Sequence, residues 1–121
     1  GVDFPAVAFG DGLGRVETLR IDLELDTDGI PACDDYEVWV FAVFDVNGRQ
    51  LHRDDIYDPR ILNGESTHWS ITAPFEIRPA QYLLWPKRRD GEWGERRVRD
   101  LPASSVTPAP EVLSRAPGSV S

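Results

Sequence analysis

The chain has 121 residues, enough for one domain and too few for two independent cores. Its 21 acidic against 13 basic side chains leave a formal net charge of −8, which repels phosphate backbones and argues against nucleic-acid binding. No apolar run approaches the ~20 residues of a membrane helix, so membrane insertion is not expected. No secretory apolar segment opens the chain, and the single cysteine, Cys33, can form no internal disulfide. There is no Met, so Gly1 is expected to begin a processed product or to be an added residue.

The charge is uneven. Residues 1–58 carry 14 acids and 4 bases, whereas residues 59–121 carry 7 acids and 9 bases. Such polarity can orient one copy of a chain against another. Charged runs are more ordinarily solvated faces.

In chain order, period-two alternation dominates and helical periodicity is absent. Val2, Phe4, Ala6 and Ala8 alternate around Pro5, which confines residues 1–14 to an N-terminal arm or edge strand. Leu19, Ile21, Leu23 and Leu25 mark the buried face of the next strand, with Arg20, Asp22 and Glu24 on its wet face. Residues 36–44 are apolar on nearly both faces. That predicts a strand in the middle of a sheet, with something covering its outer side. Asn47-Gly48 predicts a type I′ hairpin turn, and a weaker strand should return over residues 50–57. Asp58-Pro59 and Asn63-Gly64 bracket a loop.

Thr67, Trp69, Ile71 and Ala73 alternate next, and Pro74 and Pro79 lead to a strand at residues 81–85. Asp90-Gly91 closes another hairpin. Residues 93–100 read as an edge strand guarded by its charges. From residue 102 onward Pro, Ser and Ala dominate, so residues 102–121 are expected to be an extended tail. The pattern predicts an all-β fold: an antiparallel two-sheet β-sandwich of about seven strands over residues 15–101, with extended terminal arms.

The stretch Phe75-Glu76-Ile77-Arg78-Pro79-Ala80-Gln81-Tyr82-Leu83-Leu84-Trp85 resembles the late strands of immunoglobulin-like and fibronectin type III-like domains. By that resemblance Tyr82 is the corner tyrosine whose hydroxyl bonds back to the corner backbone, and Trp39 is the core tryptophan between the sheets. The disulfide pair of antibody-type domains is missing. The resemblance implies a fold and no activity.

Several residues stand out as candidate sites. Asp26, Asp28, Asp34 and Glu37 fall on ligand positions of a calcium loop, but Ile30 and Pro31 break the EF-hand pattern, so Ca²⁺ is weighed against a plain solvated loop. Cys33, among acids, is expected to be a packed and unreactive thiol. His52 and His68 are the only neutral-pH bases, and no nucleophile elbow or zinc spacing accompanies them; no enzyme is expected. Trp93, beside Gly91 and Gly94, is the tryptophan most expected to reach the surface; packing within its own chain is weighed against anchoring an interface or stacking on a glycan. Arg96, Arg97 and Arg99 could meet the acidic loop of another copy. Val2 and Phe4 could add to a neighbour's open edge or serve as the domain's own first strand.

These features lead to the expectation of a non-enzymatic structural subunit of a cell-surface layer, filament or virion. It would need no cofactor and would join copies of itself or other neighbours through its arms and opposed charges. The alternative is a glycan- or Ca²⁺-binding module of a larger exported protein, motivated by Trp69, Trp93 and the loop at residues 26–37.

Overall fold

A computed structural model describes residues 12–109; the arm residues Val2 and Phe4 and the last twelve residues of the expected tail lie outside them. Seven strands run in chain order: β1 (Gly12–Glu24), β2 (Tyr36–Phe44), β3 (Gln50–Arg53), β4 (His68–Ile77), β5 (Gln81–Arg88), β6 (Arg97–Asp100) and β7 (Val106–Pro108). They form a three-stranded sheet ordered β4-β1-β7 and a four-stranded sheet ordered β3-β2-β5-β6. Every pairing is antiparallel, giving the all-β two-sheet sandwich the alternation implied.

The core lies between the sheets. β1 contributes Leu19, Ile21 and Leu23, β4 contributes Ile71, Ala73 and Phe75, and the facing sheet contributes Trp39, Phe41, Val43, Tyr82 and Leu84. Burying each large apolar side chain of this kind stabilises a fold by about 1.5–3 kcal/mol. Phe41 stacks on Tyr82 at 5.9 Å and meets Trp69 edge-on at 6.2 Å. β2 is flanked by β3 and β5, as its two apolar faces require. β4 carries Pro74 without penalty because it is an edge strand, where a missing N–H breaks no ladder.

Five local expectations are corrected. The β2–β3 connection is not a type I′ turn: among the described residues no residue other than Gly has positive φ, so Asn47 stays on the ordinary side and Gly48 takes φ +84°. Instead the Asp45 carboxylate accepts from the amides of Asn47 and Arg49, both at 2.9 Å, and organises a wider loop. The returning strand ends at Arg53. Ile56 then rejoins Trp39 through one bridge, with N···O distances of 2.9 and 3.1 Å.

The expected loop at residues 58–64 holds a short helix, α1 (Pro59–Leu62), because Asp58 caps the Arg60 amide and Pro59 sits at the first turn. β6 starts at Arg97 rather than residue 93. Pro86 on the neighbouring strand has no N–H to extend the ladder, and past it the Gly94 amide reaches the Pro86 carbonyl at 2.8 Å and Lys87 and Trp93 form an isolated bridge.

The stretch expected to be tail is partly folded. Ala103–Ser105 form a 3₁₀ turn, and β7 pairs with β1 (Leu19 opposite Pro108, Ile21 opposite Val106). Sequence composition missed this because three residues carry the strand, and two of them, Thr107 and Pro108, are polar or lack a donor.

Candidate functional site

The strand ends gather three connections at one end of the sandwich: residues 25–35, 54–67 and 89–96. They are tied to one another. Arg97 Nη1 donates to the carbonyls of Asp26 (3.1 Å) and Asp28 (2.7 Å). The Arg89 amide donates to the Asp35 carbonyl at 2.7 Å. Gly64, at φ +88°, passes so close to Ala32 that a Cβ would lie 2.9 Å from the alanine methyl; any larger residue would push the two loops apart. Ile56, Ile61 and Leu62 are buried beneath them and plug the core.

Between these connections lies a cleft of about 130 Å³. Tyr36, Tyr57 and Leu62 supply apolar wall, and Asp34, Glu37 and Arg89 supply charge. Tyr57 is 64% exposed. Tyr36 is buried, and that burial raises its phenol above the ordinary value of 10.0.

A second candidate surface is the outer face of the four-stranded sheet. Val40, Ala42 and Leu83 point away from the core yet are buried, with Phe44 and Trp85 packed against them. Trp93 lies against Trp85 with ring centroids 4.2 Å apart, and Trp85 Nε1 donates to the Gly94 carbonyl at 3.1 Å. Lys87 Nζ sits 5.5 Å from the Trp93 ring centroid and the Arg96 guanidinium 5.9 Å from that of Trp85. At the rim Trp93 is 43% and Val98 38% exposed. The opposite outer face, on β1 and β4, carries Arg20, Asp22, Glu24, His68, Ser70, Thr72 and Glu76.

The charge complementarity expected between copies is largely satisfied within the chain. Arg99 Nε donates to the Asp26 carboxylate at 2.7 Å, Arg88 reaches Asp35 at 3.3 Å, and Lys87 approaches Glu37 at 3.8 Å. Arg97 is corrected as an interface residue. It pairs opposite Leu84 on the inner face, its side chain is only 4% exposed, and its guanidinium is occupied by loop carbonyls and by Glu95 at 3.2 Å. Arg96 keeps an outward position, and Arg99, though exposed, is engaged by the Asp26 carboxylate.

The four proposed calcium ligands are not drawn together. Asp26 is engaged by Arg97 and Arg99 and Glu37 by Lys87, and no group of three or more His, Cys, Asp or Glu among the described residues is arranged to hold a metal. The Arg99 side chain, helped by the Asp28 amide, holds the Asp26 carboxyl below its ordinary 3.8.

Trp39 is a core residue, 1% exposed. Tyr82 is equally a core residue, but its corner bond is corrected: its hydroxyl accepts from the Asp26 amide at 2.9 Å, across to the β1–β2 connection rather than back to residues 75–80. Burial raises its phenol above 10.0. Trp69 is half-buried against the core and offers no open platform. Cys33 packs half-buried on the core, with Arg88 Nη1 at 4.0 Å from its sulfur.

His52 lies edge-on to Phe75 at 6.1 Å. His68 stands on the polar outer face, 3.2 Å from Asp22 and 3.4 Å from Glu24, and Thr67 bonds Glu24. Among the described residues no helix is long and apolar enough to cross a membrane. Compared with protein-family models, with curated proteins and with solved structures, the chain finds no match in any of the three.

Proposed function

We propose that this chain is an immunoglobulin-like or fibronectin type III-like sandwich that works by assembly rather than catalysis, as a structural subunit joined to copies of itself or to other subunits. One observation carries the reading. The outer face of the four-stranded sheet is apolar from Val40 to Leu83 and is rimmed by the exposed Trp93 and Val98, whereas the other outer face is polar. A sheet face with a tryptophan pair and depleted charge has the composition of an interface core. The fold assignment rests on the strand order β3-β2-β5-β6 facing β4-β1, which matches the C′-C-F-G and E-B arrangement of such sandwiches.

Opposed charge is no longer the glue in this reading, because most of it is neutralised inside the chain. The N-terminal arm (residues 1–14) and the C-terminal stretch (residues 102–121) keep their proposed role as joining segments, apart from Val106–Pro108, which pairs with β1. Sedimentation of the full chain at micromolar concentration tests the proposal. Self-association is expected, with Val98→Glu or Trp93→Ala giving a folded monomer. A full chain that stays monomeric at every concentration refutes it.

A further inference from the structure

The cleft at the loop end is separate from the sheet face and has its own chemistry. Tyr57, open to solvent, offers a flat apolar ring, and the buried Tyr36 and Leu62 close the wall behind it. Around them stand hydrogen-bonding groups of both kinds. Among the described residues the Asp34 carboxylate has no ion-pair partner, and Arg89 binds no carboxylate, its Nε lying 3.4 Å from the Asp34 carbonyl. Glu37 is held only loosely, with Lys87 at 3.8 Å.

Arg89 is the one cation of the lining and offsets Asp34, while Glu37 is offset from outside the lining by Lys87, so the cleft carries no strong preference for a cation or an anion. It offers acceptors and donors above an apolar floor, which suits a neutral ligand that is flat and apolar on one side and hydroxylated at its edge. Its volume of about 130 Å³ is small beside ordinary small-molecule pockets and fits one ring rather than several.

We infer that this cleft binds one ring of a neutral saccharide. The ring stacks on Tyr57, its hydroxyls donate to Asp34 and Glu37, and Arg89 donates to a ring or hydroxyl oxygen. The connections that form the cleft are pinned by Arg97 and by the Gly64–Ala32 contact, so the geometry is set before the ligand arrives and little ordering opposes binding.

The test titrates the full chain with neutral oligosaccharides of glucose, galactose, mannose and N-acetylglucosamine, following backbone amide resonances. At least one series should shift residues 34–37, 57–63 and 89. Asp34→Asn and Tyr57→Ala, both at exposed positions, should each weaken that binding about tenfold, in line with losing one buried polar or stacking contact. Val98→Glu should bind as well as the parent, which separates this inference from assembly. It is overturned if no series binds, if the shifts centre on Trp85 and Trp93, if both cleft variants bind unchanged, or if an oligolysine peptide occupies the cleft in place of the saccharides.

Discussion

The two outer faces of this sandwich are built from strands of similar length and equal regularity, yet they differ in kind. On β1 and β4 the outward positions are Arg20, Asp22, Glu24, His68 and Thr72, which water satisfies. On β2 and β5 they are Val40, Ala42, Leu83 and Trp85, which water does not. Both sheets bury their inner faces equally well, so the core does not explain the difference. A strand that is apolar on both sides has two faces to bury: the second sheet covers the inner one, and Phe44 and Trp85, with Trp93 stacked on the latter, pack around the outer one.

The largest expected effect tests that contrast directly. Val40→Asp, placing a carboxylate among Ala42, Leu83 and Phe44, should destabilise the fold by about 3 kcal/mol in urea unfolding. Thr72→Asp on the other outer face should stay within about 0.5 kcal/mol. Equal costs would erase the distinction between the faces.

The same contrast recurs within one strand. On β6, Arg97→Ala frees two loop carbonyls and should cost about 2 kcal/mol, while Val98→Ala, one residue on and facing out, should cost well under 1 kcal/mol. If the two variants unfold at the same urea concentration, Arg97 does not pin the loops. Smaller still is the effect of Trp93→Ala on stability, expected to lower the melting temperature by a few degrees at most while changing the sedimentation coefficient.

The smallest effect is in pH dependence. Asp26 titrates below its ordinary value in the folded chain, so its contribution is complete above pH 3.8 and fades as the pH falls through the lowered value. Asp26→Asn should therefore flatten the acid limb of the stability curve. Tyr82 works in the opposite direction. Its raised value means its contribution is intact below pH 10.0 and is lost as the pH rises through the folded value, so Tyr82→Phe should flatten the alkaline limb. Unchanged limbs would show that neither the Arg99 pairing of Asp26 nor the burial of Tyr82 contributes to the pH dependence.

Much of the strand pattern was legible in the sequence because burial and alternation obey the same period. Leu19, Ile21 and Leu23 alternate with Arg20, Asp22 and Glu24, and each set lies on the side its polarity requires. Residues 36–44 form a central strand with the expected bounds. What could not be read is what meets across the end of the sandwich. Asp26 and Arg99 are 73 residues apart, and nothing local couples them.

Arg97 shows the limit most clearly. In a row of Arg96, Arg97 and Arg99 all three look solvated, and only the pairing with Leu84 decides that the middle one turns inward. The cleft was missed for a related reason. Tyr36 opens β2 whereas Tyr57 and Arg89 come from two separate connections, and their neighbourhood exists only once the chain has folded. Trp93 was legible as a surface aromatic because the glycines around it announce a turn.

The pairing of β7 with β1 also has a consequence in time. Leu19 and Pro108 face each other in the finished sheet although most of the domain separates them along the chain. During synthesis β1 emerges early and pairs with β4 on one side, while its other edge waits until β7 has been made. That edge is the last to be sealed, and contacts of such long sequence separation slow folding. A released chain that ends before residue 106 would therefore be a sandwich with an open edge on β1, able to accept a strand from a neighbouring chain.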